Sequence, residues 1–153
     1  MADIRANIQS TINAFIENNT QAVKQRDTSL LSVILAKDCI RQYRPLSFIN
    51  RYPQFFKPQL TNADYEAQMQ QELHTMKDVE QKVTRTVIDS VERKATLWVE
   101  TTLWSPESKS TVEVIFDLNF TEDGTQVSQV TEFVDTYESS KFLEQILEQM
   151  GAK

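Results

Sequence analysis

Thr111-Val112-Glu113-Val114-Ile115-Phe116-Asp117-Leu118-Asn119-Phe120 places an apolar residue at every second position: Val112, Val114, Phe116, Leu118 and Phe120. Successive side chains of an extended backbone point to opposite faces, so these five share one face of a strand. Glu113, Asp117 and Asn119 fall on the other, and the apolar set is expected to face a core or a pocket. The same period runs on both sides, and residues 83–91, 95–104 and 126–135 read as three further strands. The breaks at Glu92-Arg93-Lys94, Ser105-Pro106-Glu107 and Glu122-Asp123-Gly124 suit hairpins, with Gly124 able to take the positive φ of a tight turn.

Upstream, the period is that of a helix. Ile4, Ile8, Ile12, Phe15, Ile16, Ala22 and Val23 recur at three and four, which predicts an amphipathic helix over residues 3–24. Asp27 caps a short second helix through Leu30, Leu31, Val33, Ile34 and Leu35, so the two are expected to form a helical hairpin. Residues 39–44 suit a short edge strand stopped by Pro45, and residues 45–62 read as irregular. Asn62 caps a third helix with the stripe Tyr65, Met69, Leu73, Met76 and Val79, ending near Lys82. Ser139 or Ser140 caps a last helix through Phe142, Leu143, Ile146, Leu147 and Met150, closed by Gly151. Helices before and after a run of meander strands make the fold class α+β, with helices on one face of a mostly antiparallel sheet.

A length of 153 residues accommodates one core, so residues 1–153 are read as a single domain. Hydrophobic residues at 40% and charged residues at 25% match ordinary globular usage, and no apolar run approaches a membrane span. The opening Met-Ala-Asp-Ile-Arg has no basic flank before an apolar block, and Cys39 has no partner for a disulfide, which together lead to the expectation of a cytoplasmic protein. With 2 Gly, 1 His and 1 Cys the chain holds no phosphate loop, dinucleotide fingerprint, zinc cluster or histidine-assisted nucleophile, so no metal and no cofactor is expected. The formal charge of -6 repels a phosphate backbone and argues against nucleic acid as a partner.

Two stretches carry a family likeness. Asp38-Cys39-Ile40-Arg41-Gln42-Tyr43-Arg44-Pro45 is one; the other is Val114-Ile115-Phe116-Asp117-Leu118-Asn119-Phe120, through Gly124, to Thr131-Glu132-Phe133-Val134-Asp135. In this order they resemble the nuclear-transport-factor-2-like (NTF2-like, or SnoaL-like) superfamily, whose cystatin-like sheet curls as a cone around N-terminal helices. They look most like its fungal branch, which includes ring-rearranging isomerases of meroterpenoid and indole-alkaloid biosynthesis. The resemblance implies a cofactor-independent isomerase or cyclase acting on a hydrophobic polycyclic secondary metabolite. Other members of the superfamily are non-catalytic ligand- or protein-binding modules, which is the alternative.

Val130, Glu132 and Val134 share a strand face whose apolar flanks make it the inner one, so a carboxylate is expected inside. Burial disfavours its charged form and suits it to acid-base work near neutral pH. Arg41 and Tyr43 project from one side of the edge strand, where Arg41 could hold Glu132 ionised or bind an oxyanion and Tyr43 could donate a proton. The resemblance implies that Arg41 and Glu132 are the catalytic pair; a structural ion pair is the other reading. Tyrosines that the ring-rearranging members carry on the fourth strand are replaced here, by Ser110 and Val114.

Phe48, Tyr65, Met69, Leu73, Val114 and Phe116 are the expected lining of an apolar cavity. His74 lies opposite the helical stripe and is expected in solvent, Asp135 suits a cap at its strand end, and Cys39 suits a small buried hydrophobe. Residues 41–57 interleave Arg41, Arg44, Arg51 and Lys57 with five aromatics, which reads as a lip over a pocket, with a partner surface or plain packing as the alternatives. Parity places Leu97, Val99, Thr101 and Leu103 inward and Trp98 and Trp104 on the outer sheet face, where they mark a homodimer surface.

Overall fold

In the computed structural model, which describes residues 3–149 and Gly151, the alternating stretch lies in the middle of a five-stranded sheet. It is strand β4 (Lys109–Phe120), flanked by β3 (Lys94–Trp104) and β5 (Val127–Phe133), with β2 (Asp78–Asp89) and β1 (Leu35–Arg44) at the two edges. β1 runs parallel to β5 and every other pairing is antiparallel, so the sheet is mostly antiparallel and the architecture is α+β. Leu97, Leu118, Val127 and Val130 on its inner face are fully buried.

Helix α1 (Ile4–Gln25) covers that face. Asp3 caps its start by accepting from the Ala6 amide, and Ile8, Ile12 and Phe15 bury its apolar stripe against the sheet. Phe15 meets Phe116 of β4 edge-on, ring centres 5.2 Å apart. Each such side chain taken wholly out of water contributes about 1.5–3 kcal/mol. The turn into β5 closes against the same helix: Gly124 sits at φ +75°, and a Cβ there would meet Ile8 at 3.0 Å. Thr11 donates to the Gly124 carbonyl at 2.7 Å, which holds the turn on the helix.

Several expected elements change length or type. The second helix is a 3-10 turn (Thr28–Ser32), capped by Asp27 as expected, so there is no helical hairpin. Leu35 and Ala36 leave that turn to be buried at the start of β1, four residues before the expected strand start, with an irregular register between Leu35 and Ile40. The segment read as irregular contains helix α2 (Leu46–Arg51), formed because Phe48 and Ile49 bury one side of it. Helix α3 (Asn62–Glu72) is capped by Thr61 rather than Asn62, in a reciprocal box with Asp64. Asn62 instead donates to the Ala36 carbonyl.

The same helix ends at Glu72, ten residues before Lys82. Arg26, in left-handed conformation at the end of α1, donates to the carbonyls of Leu73, Met76 and Lys77 and fixes the turn that follows. Residues 78–82 then join the sheet as the start of β2, Asp78 facing Trp104, so Val79 belongs to a strand and not to the helical stripe. The last helix, α4 (Thr136–Gln149), starts before Ser139, because the Asp135 carboxylate accepts from the Glu138 amide. Leu143 is buried, Phe142 is exposed, the side chain of Ile146 is not described, and Met150 lies outside the described residues.

Candidate active site

The parallel pairing of β1 with β5 sets Tyr43 beside Glu132 and Arg41 beside Val130, and β4 sets Phe116 on the other side of Glu132. Parity therefore brings Arg41, Tyr43 and Glu132 to one face, as read from the alternation. Arg41 Nη1 donates to Glu132 Oε1 at 2.8 Å. Only 4% of the Arg41 side chain and 17% of the Glu132 side chain reach solvent, so the pair is buried but approachable from the Glu132 side. The Arg41 backbone is pinned by a two-way bond with Leu60, and its guanidinium carbon stands 3.7 Å over the Tyr65 ring of α3. One arginine is thus held in strand, ion pair and ring stack at once.

Burial raises the Glu132 carboxyl above its ordinary value, and the Arg41 charge and hydrogen bond offset only part of that rise. For Arg41, burial works against the charge, but Tyr65, Glu132 and Tyr43 around it prevail and raise its pKa. The Tyr65 phenol is pushed by burial up to about 12, and the Tyr43 phenol is also raised, through burial first and then the Glu132 charge. At neutral pH the site holds a fixed cation, two neutral phenols and a carboxylate made more basic by its surroundings.

Two residues of this site escape the sequence reading. Gln68 Nε2 donates to Tyr43 Oη at 3.1 Å and to Glu72 Oε1 at 3.0 Å. The Glu72 carboxyl is itself raised, by loss of water first and by the Glu132 charge, although the residue remains exposed. Their signal is helical spacing: Tyr65, Gln68 and Glu72 stand at i, i+3 and i+7 and share one side of α3. On a mostly polar helix that spacing is indistinguishable from a solvated face.

The expected cavity lining is dispersed. Val114 and Phe116 belong to the core under α1, and Leu73 packs with Val23 and Val79. Phe48 packs at a tilt against Tyr52 and Phe56, with Phe56 against Tyr43, in a cluster that also takes Leu143. The aromatics of residues 48–56 therefore pack on one another and on α4. Tyr65 and Met69 are half-buried, with Tyr65 in the site. Surface recesses of about 530 and 300 Å3 lie beside Arg93 and Asp123 and between α1 and β2; neither touches Glu132.

Of the remaining residues, His74 is exposed in the turn after α3, and burial lifts the Cys39 thiol to about 11, as for an inert core thiol. Ser110 is exposed near the start of β4. Trp98 and Trp104 stand on the outer face, half-buried, with the Arg85 guanidinium 4.8 Å from the Trp98 ring and the Lys109 ammonium 5.5 Å from Trp104. Among the described residues no three His, Cys, Asp or Glu side chains converge as metal ligands, and no helix is long and apolar enough to cross a membrane.

No family model and no curated protein matches the chain by sequence. Solved structures do match. The BvnE pinacolase of Penicillium brevicompactum superposes with a TM-score of 0.81 at 16% identity, over 97% of this chain and 96% of its own. PrhC of Penicillium brasilianum superposes with 0.81 at 14% identity, over 99% and 95%. An NTF2-like protein of unknown function from Burkholderia pseudomallei follows with 0.68 at 12% identity, over 88% and 95%. The element order, the sheet and these superpositions agree, and the chain has the NTF2-like, or SnoaL-like, fold.

Proposed function

We propose that this protein is a cofactor-independent isomerase or cyclase that acts by acid-base chemistry on a hydrophobic, polycyclic secondary metabolite of meroterpenoid or alkaloid type. The observation that carries the reading is the Arg41–Glu132 pair, 2.8 Å long and largely buried, with the carboxylate the more exposed partner and raised in proton affinity. Glu132 takes a proton from the substrate or returns it, Arg41 holds Glu132 and the negative charge that develops on a substrate oxygen, and the neutral Tyr43 phenol supplies a proton. Likeness in fold to a pinacolase supports a rearrangement; the substrate class rests on the sequence resemblance. Tyr65 and Met69, half-buried on α3, are the apolar surroundings such a substrate would meet, with Tyr65 already against Arg41.

The packing of Phe15 on Phe116 favours a second reading, a non-catalytic module in which the pair is structural. Glu132→Gln separates the two. Wild type and variant are incubated with small-molecule extracts of the source organism and followed by liquid chromatography and mass spectrometry, with unfolding measured alongside. An isomerase gives a product of unchanged mass only with wild type, its rate rising with pH through an apparent pKa above the ordinary carboxylate value, while the variant stays folded. A variant that loses stability, beside a wild type that alters no compound, gives the module.

A further inference from the structure

The direction of the Tyr43 hydroxyl is set by two residues that the proposed acid-base scheme does not use. Gln68 places one and the same atom, Nε2, 3.0 Å from Glu72 Oε1 and 3.1 Å from Tyr43 Oη. An amide oxygen and an amide nitrogen have nearly the same shape, so a glutamine could sit there either way round. Glu72 removes the choice: an ionised carboxylate only accepts, and the atom facing it has to be the NH2 group. Both amide hydrogens are then committed, one to Glu72 and one to Tyr43. Tyr43 Oη is the acceptor of that bond, and no acceptor among the described residues takes its own hydrogen.

We infer that Gln68 and Glu72 are positioning residues that make Tyr43 an obligate hydrogen donor toward bound substrate, Glu72 orienting the Gln68 amide and the amide orienting the hydroxyl. This rests on the acid-base reading of the site and adds a requirement on the ligand. The substrate atom that meets Tyr43 is an acceptor, a carbonyl or ether oxygen. Glu132, the register partner of Tyr43 on the neighbouring strand, takes the proton-bearing side of the same molecule. A reversed amide would have Tyr43 donating to Gln68, and the site would then lack that donor. Burial and the Glu132 charge keep the phenol neutral, so the hydrogen is present at neutral pH.

Neutron diffraction from crystals of the perdeuterated protein near pH 8 reads the arrangement directly and needs no turnover. The expected map has two deuterons on the Gln68 nitrogen, one aimed at Glu72 and one at Tyr43, with the Tyr43 deuteron turned away from Gln68. A Tyr43 deuteron lying on the line to Gln68 overturns the inference. The Glu72→Lys variant replaces an acceptor by a donor, so its Gln68 amide is expected to flip and the Tyr43 deuteron to swing onto the amide oxygen. An unflipped amide in a folded variant removes Glu72 from the arrangement; if that variant does not fold, the wild-type map alone decides. A protein that turns over nothing and still shows the expected map overturns the isomerase reading and leaves the hydrogen-bond polarity standing.

Discussion

Glu132 loses more by leaving water than it regains from Arg41, which is why its proton affinity rises in spite of a cation 2.8 Å away. Removing that cation exposes the imbalance. Arg41→Met is expected to cost about 3–5 kcal/mol at neutral pH, because a buried carboxylate is left without its partner. The cost depends on pH with a definite sign. A carboxyl whose folded pKa lies above its unfolded one binds its proton more tightly when folded, so the variant is most stable below the unfolded pKa and loses stability as pH rises through the folded one. Urea unfolding of Arg41→Met at pH 5 and pH 8 checks this, and a variant equally stable at both contradicts it. Arg41, Tyr43 and Glu132 were legible because alternation along a strand says which side chains share a face. Gln68 and Glu72 were not, because a polar residue on a helix looks the same whether it faces water or a phenol.

Helix α3 carries Tyr65, Gln68 and Glu72 into the site, so its start and its stop matter to all three. Its start is the Thr61–Asp64 box, where each side chain accepts from the other's backbone amide at 3.1 Å. Thr61→Ala is expected to lower unfolding free energy by about 1 kcal/mol, measured by urea titration, and a change below a few tenths would mean the box is not holding the helix. The helix itself was legible from its stripe, its stop was not. Met76 and Val79 continue the helical spacing, yet Arg26 captures three carbonyls of the turn and Asp78 pairs with Trp104, so long-range partners end the helix. In the same way α2 was invisible because six residues are too few to show a period, and the burial of Phe48 and Ile49 makes it.

At the level of the whole molecule the outer sheet face remains in water, with Trp98 and Trp104 half-buried between charged neighbours. An isologous dimer through this face would cover both rings at once. The Trp98→Ala/Trp104→Ala protein is expected to elute as a monomer in size-exclusion chromatography with light scattering where wild type elutes as a dimer. Equal masses for the two remove the interface. By itself the sequence determined the α+β class, the four meander strands and which side chains share a strand face, since period and parity are local properties of the backbone. Tertiary structure alone decided where α3 stops, that β1 lies parallel to β5, and that Gln68 meets Tyr43. Those outcomes depend on partners tens of residues away, whose competition with local preference no local pattern records.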